Sequence, residues 1–336
     1  MKLKITIKLI LFGFLLMSCG DDDEPNETPI PTEAVVYVAG FTDSSGSNEV
    51  AKIWKDGTEI ILTDGGQTAR AEAIYVSGDD VYVAGYENIT ANKSVAKIWK
   101  NGVAINLTDG TKNAKAYSVF VIGEDVYVTG FEKDSKEVAK IWKNGIATSL
   151  TDGGQTARGE SIYVSGDDVY VAGRESNGNK GVAKVWKNGV PTILSDGTKH
   201  THALSVFVKD DDVYVAGVEF GNPLSISKIW KNGVVTNLTD AVTGTSYAFS
   251  VFVSGNDVYV AGFESNIAKV WKNGVATNLT NGTQALSVFV KGNDVYVTGS
   301  GKNGNGDNVA KVWKNGVETN LTDGTNDAYG NSIFVK

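Results

Sequence analysis

One cysteine, five prolines, two histidines and three arginines in 336 residues set the first limits. With Cys19 as the sole cysteine, no disulfide can close within the chain and no thiolate zinc cluster can form. Three of the prolines, Pro25, Pro29 and Pro31, stand together near the N-terminus. The rest of the chain is therefore almost free of residues that interrupt a sheet. From residue 34 onward no stretch carries a helical period of apolar residues. Positive charge is also short, with a formal net charge of −8. Lys2, Lys4 and Lys8 belong to a leader, and without them the charge is −11; six acids between residues 19 and 33 leave the body near −5. An acidic body lacks the basic face that phosphate binding requires, which argues against nucleic acid as a partner.

What is present begins with the leader. The three lysines precede an apolar run, Leu9 to Met17, broken only by Gly13 and too short to span a bilayer as a helix. Residues 1–18 read as a signal peptide. The stretch Leu16-Met17-Ser18-Cys19 resembles the lipobox of bacterial lipoproteins. That resemblance implies cleavage before Cys19 and acylation of the new terminus, with several acyl chains making the membrane attachment stable. The acidic run Asp21-Asp22-Asp23-Glu24 that follows is similar to the signal some Gram-negative bacteria use to export lipoproteins to the outer face of the outer membrane. Residues 19–33 are polar and proline-containing and read as an extended tether.

A repeat dominates residues 34–336. Lys-(Ile/Val)-Trp-Lys-(Asn/Asp)-Gly recurs at Trp54, Trp99, Trp142, Trp186, Trp230, Trp271 and Trp313, at spacings of 45, 43, 44, 44, 41 and 42. These are all the tryptophans of the chain, and their equivalent places inside strands assign them to packing between blades. A period in the low forties with strand-like content is the mark of propeller blades. Each repeat holds four strand-like runs, and Asn-Gly between the third and fourth is a hairpin signal, because both residues tolerate positive φ. The first repeat lacks its first strand, and Ser332-Ile333-Phe334-Val335 supplies one at the C-terminus. The expectation is an all-β, seven-bladed β-propeller of four-stranded antiparallel blades, its ring closed by the C-terminal strand joining the first blade. The repeats resemble those of bacterial surface propellers. They carry neither the Trp-Asp dipeptide of WD40 repeats nor the Gly-Gly signature of kelch repeats.

Loop lengths separate the two faces. The first-to-second and third-to-fourth turns are tight and share one face. The second-to-third and fourth-to-first connections, such as Thr42 to Glu49, Asn88 to Ser94, Ser176 to Gly181 and Gly301 to Asn308, are longer and more varied. Variable loops on a rigid scaffold are where binding residues concentrate. Aspartates that recur in the fourth-to-first loops (Asp64, Asp109, Asp152, Asp196, Asp240, Asp323) read as turn formers rather than calcium ligands. The lysines two residues before each tryptophan, facing Asp80, Asp125, Asp168, Asp212, Asp257 and Asp294 ahead of the second strands, suggest a Lys–Asp ladder. His200 and His202 flank Thr201 with no third metal ligand in view, so neither metal nor cofactor is expected.

One departure from symmetry is chemical. Gly-Gly-Gln-Thr-Ala-Arg-(Ala/Gly)-Glu occurs twice and carries two of the three arginines. It places Gln67, Arg70 and Glu72, and their copies Gln155, Arg158 and Glu160, on segments that run inward to the channel mouth. Arginine there offers planar, two-pronged recognition of carboxylate or sulfate. No cluster of acids, bases and nucleophile of the kind propeller enzymes carry is evident, nor the Asp-box of sialidases. The sequence thus reads as a lipid-anchored, surface-facing binding protein and not an enzyme, with a glycan or a protein as ligand. Two further readings are a subunit of an outer-membrane assembly and a glycoside-active enzyme working through Glu72 or Glu160.

Overall fold

The computed structural model describes residues 34–43, 48–240 and 242–336. The leader, Cys19 and the tether lie outside the described residues.

Twenty-eight strands form seven four-stranded antiparallel sheets. Blade 1 holds β1 (Val36–Asp43), β2 (Glu49–Lys55) and β3 (Thr58–Ile61). Blade 2 holds β4 (Ala69–Ser77), β5 (Asp80–Thr90), β6 (Lys93–Lys100) and β7 (Val103–Asn106). Blade 3 is β8 (Asn113–Ile122), β9 (Asp125–Lys133), β10 (Glu137–Lys143) and β11 (Ile146–Ser149), and blade 4 is β12 (Ala157–Ser165), β13 (Asp168–Ser176), β14 (Gly181–Lys187) and β15 (Val190–Ile193). Blade 5 is β16 (Thr201–Lys209), β17 (Asp212–Glu219), β18 (Ile226–Lys231) and β19 (Val234–Asn237), and blade 6 is β20 (Ser246–Ser254), β21 (Asp257–Glu264), β22 (Ile267–Lys272) and β23 (Val275–Asn278). Blade 7 is β24 (Gln284–Lys291), β25 (Asp294–Lys302), β26 (Asn308–Lys314) and β27 (Val317–Asn320). The last strand, β28 (Ala328–Val335), pairs with β1 as the innermost strand of blade 1 and closes the ring.

Apolar surface is buried between blades. All seven tryptophans are at most 1% exposed, each clustered with valines and, except at Trp186, alanines of neighbouring strands. The innermost strands meet through a closed ring of aromatics, Tyr75, Phe120, Tyr163, Phe207, Phe252, Phe289 and Phe334, with successive centroids 4.8–5.0 Å apart. Seven points at that spacing lie about 5.6 Å from their common axis, and tilted rings at such separations fill much of the radius that remains. Six serines add a second tie between inner strands. Ser118 Oγ, for example, accepts from the Ile162 N–H at 3.2 Å, and Ser332 Oγ from Ile74 at 3.2 Å; Ala73 occupies the seventh place.

The Asn-Gly turns take the predicted form, with Asn144 at φ 51° and Gly145 at φ 82°. Asn144 Oδ1 accepts from the Val126 N–H at 2.8 Å, while its Nδ2 donates to Asp125 at 2.8 Å. The aspartate pairs with a lysine other than the expected one. Asp125 holds Lys143, the residue after the tryptophan, at 2.8 Å, and the arrangement repeats in blades 2 to 7. Register explains the difference. Lys143 sits opposite Tyr127 at the hairpin end beside Asp125, whereas Lys140 sits opposite Gly130, farther along the strand. The lysines two before the tryptophan mostly turn to glutamates instead, as Lys184 does to Glu175 and Lys269 to Glu264. Asp109 and Asp323 accept from backbone N–H groups two residues on, which is the expected turn chemistry. Strand pairing also runs deeper into the second-to-third connections than the sequence suggested, since β5 continues to Thr90 and β6 starts at Lys93.

Candidate functional site

Every innermost strand carries a β-bulge at the same place. It is set by a glycine on the second strand. A Cβ at Gly85 would lie 2.0 Å from the Arg70 carbonyl oxygen, and one at Gly173 2.1 Å from that of Arg158, so only glycine lets the inner strand cross this closely. The bulge inserts one residue between paired positions and re-aims it. The inserted residues are Glu72, Tyr117, Glu160, Leu204, Phe249, Leu286 and Asn331. Four consecutive blades, 1 to 4, thus contribute polar groups to this ring, and blades 5 to 7 contribute apolar ones.

The residue two before each bulge lies toward the loop-rich face, and those of blades 2 to 4 lean on the preceding blade. Here stand Arg70, Lys115, Arg158, His202, Tyr247, Gln284 and Tyr329. Arg70 rests on Phe41 with its guanidinium carbon 4.3 Å from the ring centroid, Lys115 Nζ is 3.7 Å from that of Tyr86, and Arg158 is 4.8 Å from that of Phe131. The two arginines are also held by carboxylates of the preceding blade. Arg70 donates through Nε and Nη2 to both oxygens of Glu49, and Arg158 in the same way to Glu137. Burial works against each guanidinium charge, but the hydrogen bonds donated to the glutamates, together with the attraction of nearby acidic groups, more than offset it and keep both arginines firmly protonated.

Arg70, Glu72, Arg158 and Glu160 therefore come together on the inner strands of blades 2 and 4, with Lys115 and Tyr117 of blade 3 between the two copies. Gln67 is exposed and Gln155 half-buried in their loops, and among the described residues neither makes a side-chain hydrogen bond. The two glutamates differ. Glu160 is ion-paired to Arg174 at 2.5 Å. Glu72 is held by Asn331 Nδ2 at 3.2 Å, and burial pushes its pKa up to about 7 despite the nearby Arg70 and Lys115. Burial likewise lowers the pKa of Lys115 and raises that of the Tyr117 phenol. Glu49, Glu137 and Arg174 are absent from the expected set. The first two left a signal: Glu-Val-Ala-Lys-Ile-Trp-Lys occurs in the two repeats that precede Gly-Gly-Gln-Thr-Ala-Arg and in no other.

No family model matches the chain, and no curated protein matches it. Among solved structures it is similar to a puromycin-hydrolysing peptidase of Mycobacterium tuberculosis, with a TM-score of 0.57 and 13% identity over 85% of this chain and 51% of that one. It is also similar to a prolyl endopeptidase, at TM-score 0.50 and 12% identity over 86% of this chain and 46% of that one. A chain from a nidogen/laminin complex aligns with TM-score 0.47 and 12% identity over 73% of this chain and 91% of its own length. This chain spans about half the length of the two peptidases. The likeness is one of fold: the protein is a β-propeller scaffold of repeated blades.

Proposed function

We propose that this protein is a lipid-anchored, cell-surface binding module that recognises a glycan at the channel mouth on its loop-rich face. The observation that carries the reading is the half-and-half ring of bulge residues. Asn331, Glu72, Tyr117 and Glu160 offer donors and acceptors side by side, backed by Lys115 and by the Nη1 of Arg70 and Arg158, which have no hydrogen-bond partner among the described residues, while Leu204, Phe249 and Leu286 face them. Sugar hydroxyls call for mixed donors and acceptors, and sugar ring faces for apolar and aromatic neighbours. Attachment through Cys19 and display outside the outer membrane rest on the lipobox and the acidic run behind it.

A glycan array probed with the full-length protein tests the ligand class. Arg70→Ala/Arg158→Ala and Lys115→Met variants accompany it, each verified by a thermal melt. Binding that the folded variants lose supports the reading. Silence from the wild type overturns it and directs attention to a protein partner, sought by crosslinking on intact cells. Cys19→Ala is expected to shift the protein from the membrane fraction to the soluble one, and retention in membranes would contradict the anchor. A glycoside-active enzyme has one observation in its favour: a carboxyl group raised toward neutrality shares a mouth with an ion-paired one. Hydrolysis of a polysaccharide panel that disappears in Glu72→Gln would establish that alternative.

A further inference from the structure

The boundary between blades 4 and 5 reverses a pattern found at two others. Between blades 1 and 2, and again between blades 3 and 4, the second strand gives an aromatic (Phe41, Phe131), the third strand a glutamate (Glu49, Glu137), and the next inner strand an arginine. Between blades 4 and 5 the cation stands on the second strand as Arg174 and the ring on the inner strand as His202. The glutamate position is held by Gly181, which register equates with Glu49 and Glu137. A side chain is thus missing where the other two boundaries keep a carboxylate, and a cleft of about 480 Å³ opens there, lined by Arg174, Gly181, His200, His202 and Phe220.

The groups around that vacancy are donors. Arg174 spends Nη1 on Glu160 and on His202 Nδ1, at 2.5 and 3.4 Å, while Nε and Nη2 have no partner among the described residues. Nε and Nη2 are the atoms with which Arg70 and Arg158 grip their glutamates. Because Arg174 can only donate, His202 Nδ1 accepts, and the ring carries its proton on Nε2. That Nε2 lies 3.3 Å from where a Cβ on residue 181 would be, and Arg174 Cδ lies 3.5 Å from the same point. His200 accepts the Gly181 N–H on Nδ1 at 2.8 Å, which puts its proton on Nε2, where it has no partner among the described residues. Phe220 packs edge-on against His202 with centroids 4.7 Å apart and forms an apolar wall of the cleft. Burial and the adjacent Arg174 hold His202 neutral, with its pKa down to about 3, so it offers a ligand an Nε2–H hydrogen bond and no charge.

The geometry points to a binding site for a carboxylated sugar at the boundary of blades 4 and 5, in which the ligand's carboxylate takes the place of the missing glutamate. The carboxylate is held by Arg174 and the Nε2–H groups of His202 and His200, and the sugar ring lies against Phe220. The site adjoins the channel mouth through the Arg174–Glu160 pair but is lined by other residues, and it stands whether or not the mouth binds a glycan.

Isothermal titration of the full-length protein with methyl glucuronoside, beside the neutral methyl glucoside, tests it. The glucuronoside is expected to bind saturably in the millimolar range and the glucoside at least about tenfold more weakly. Gly181→Glu restores the glutamate of the other boundaries and should lower glucuronoside affinity at least about tenfold without lowering the Tm. His200→Ala, at an exposed position, is a second probe in case Gly181→Glu misfolds, and it should weaken binding severalfold. Equal binding of the two sugars, no saturation by the glucuronoside, or full affinity in a folded Gly181→Glu variant (in His200→Ala, should Gly181→Glu fail to fold) would overturn the assignment.

Discussion

Glu72 and Glu160 occupy equivalent bulges, yet among the described residues only one has a cationic hydrogen-bonding partner. Glu160 meets Arg174, while the residue matching Arg174 in blade 2 is Tyr86, which leaves Glu72 with Asn331. Burial therefore dominates at Glu72 and raises its pKa from the ordinary 4.5 to about 7. A carboxyl group whose folded pKa exceeds its unfolded one favours the folded state fully below the unfolded pKa. That contribution fades as pH rises through the window from 4.5 to about 7. Glu72→Gln mimics the protonated form at every pH. The variant and the wild type are expected to melt together near pH 4, and by pH 8 the variant should be more stable by on the order of 1–3 kcal/mol. Parallel Tm–pH curves would mean that Glu72 ionises as freely in the fold as out of it. At this scale the doubled Arg–Glu motif was legible because it broke the repeat, and Glu49 and Glu137 carried a co-occurrence signal. The vacancy at Gly181 was not legible. It has meaning only once register equates that glycine with two glutamates on other blades.

Elements in this protein are fixed by their turns. The Asn-Gly hairpins combine a backbone need, two residues at positive φ, with a side-chain tie from Asn144 Oδ1 to the start of β9. Separating the two contributions requires two substitutions. Asn144→Gly keeps the left-handed conformation and loses the tie, at a cost of about 1 kcal/mol. Asn144→Ala loses both and should cost about 2–3 kcal/mol, read from chemical-denaturation midpoints at constant slope. Equal costs would assign the whole effect to the hydrogen bond. These hairpins could be read directly, since Asn-Gly between β runs has few other uses. The ends of β5 and β6 could not. Glu87-Asn88-Ile89-Thr90 has one apolar residue and no alternation, but backbone pairing at the exposed end of a hairpin asks for no apolar face. The lysine–aspartate pairing depends in the same way on which lysine lies opposite the hairpin end, a matter of register that spacing along one strand does not contain.

At the scale of the whole molecule, closure is the term that couples seven similar blades into one unit. β28 places Ile333 and Val335 in the core with blade 7, and Phe334 completes the aromatic ring between Phe289 and Tyr75. Deleting Ser332 to Lys336 removes two buried aliphatic side chains worth about 1.5–3 kcal/mol each, together with the ring closure. Against a net stability of about 5–15 kcal/mol, a Tm loss of more than about 10 °C is expected. The same geometry predicts that the position of the chain break does not matter. Val35 and Lys336 exchange both backbone hydrogen bonds, N–H to O, at 2.8 and 2.9 Å, and they stand in register where Asp80 and Ser77 stand in blade 2. There a two-residue turn, Gly78-Asp79, joins the strands. A circular permutant that joins Lys336 to Val35 through Gly-Asp, and opens instead between Gly123 and Glu124, turns the closing pair into an ordinary hairpin and leaves β8 and β9 to hold blade 3 together across the break. It should keep the near-UV spectrum of the parent and melt within a few degrees of it, because every sheet pairing is retained. A permutant that folds while the truncation does not would show that stability resides in the paired inner strand and not in the order in which blades leave the ribosome. A permutant that fails would show that blade 3, the blade set between the two Arg–Glu copies, needs an unbroken first hairpin to form.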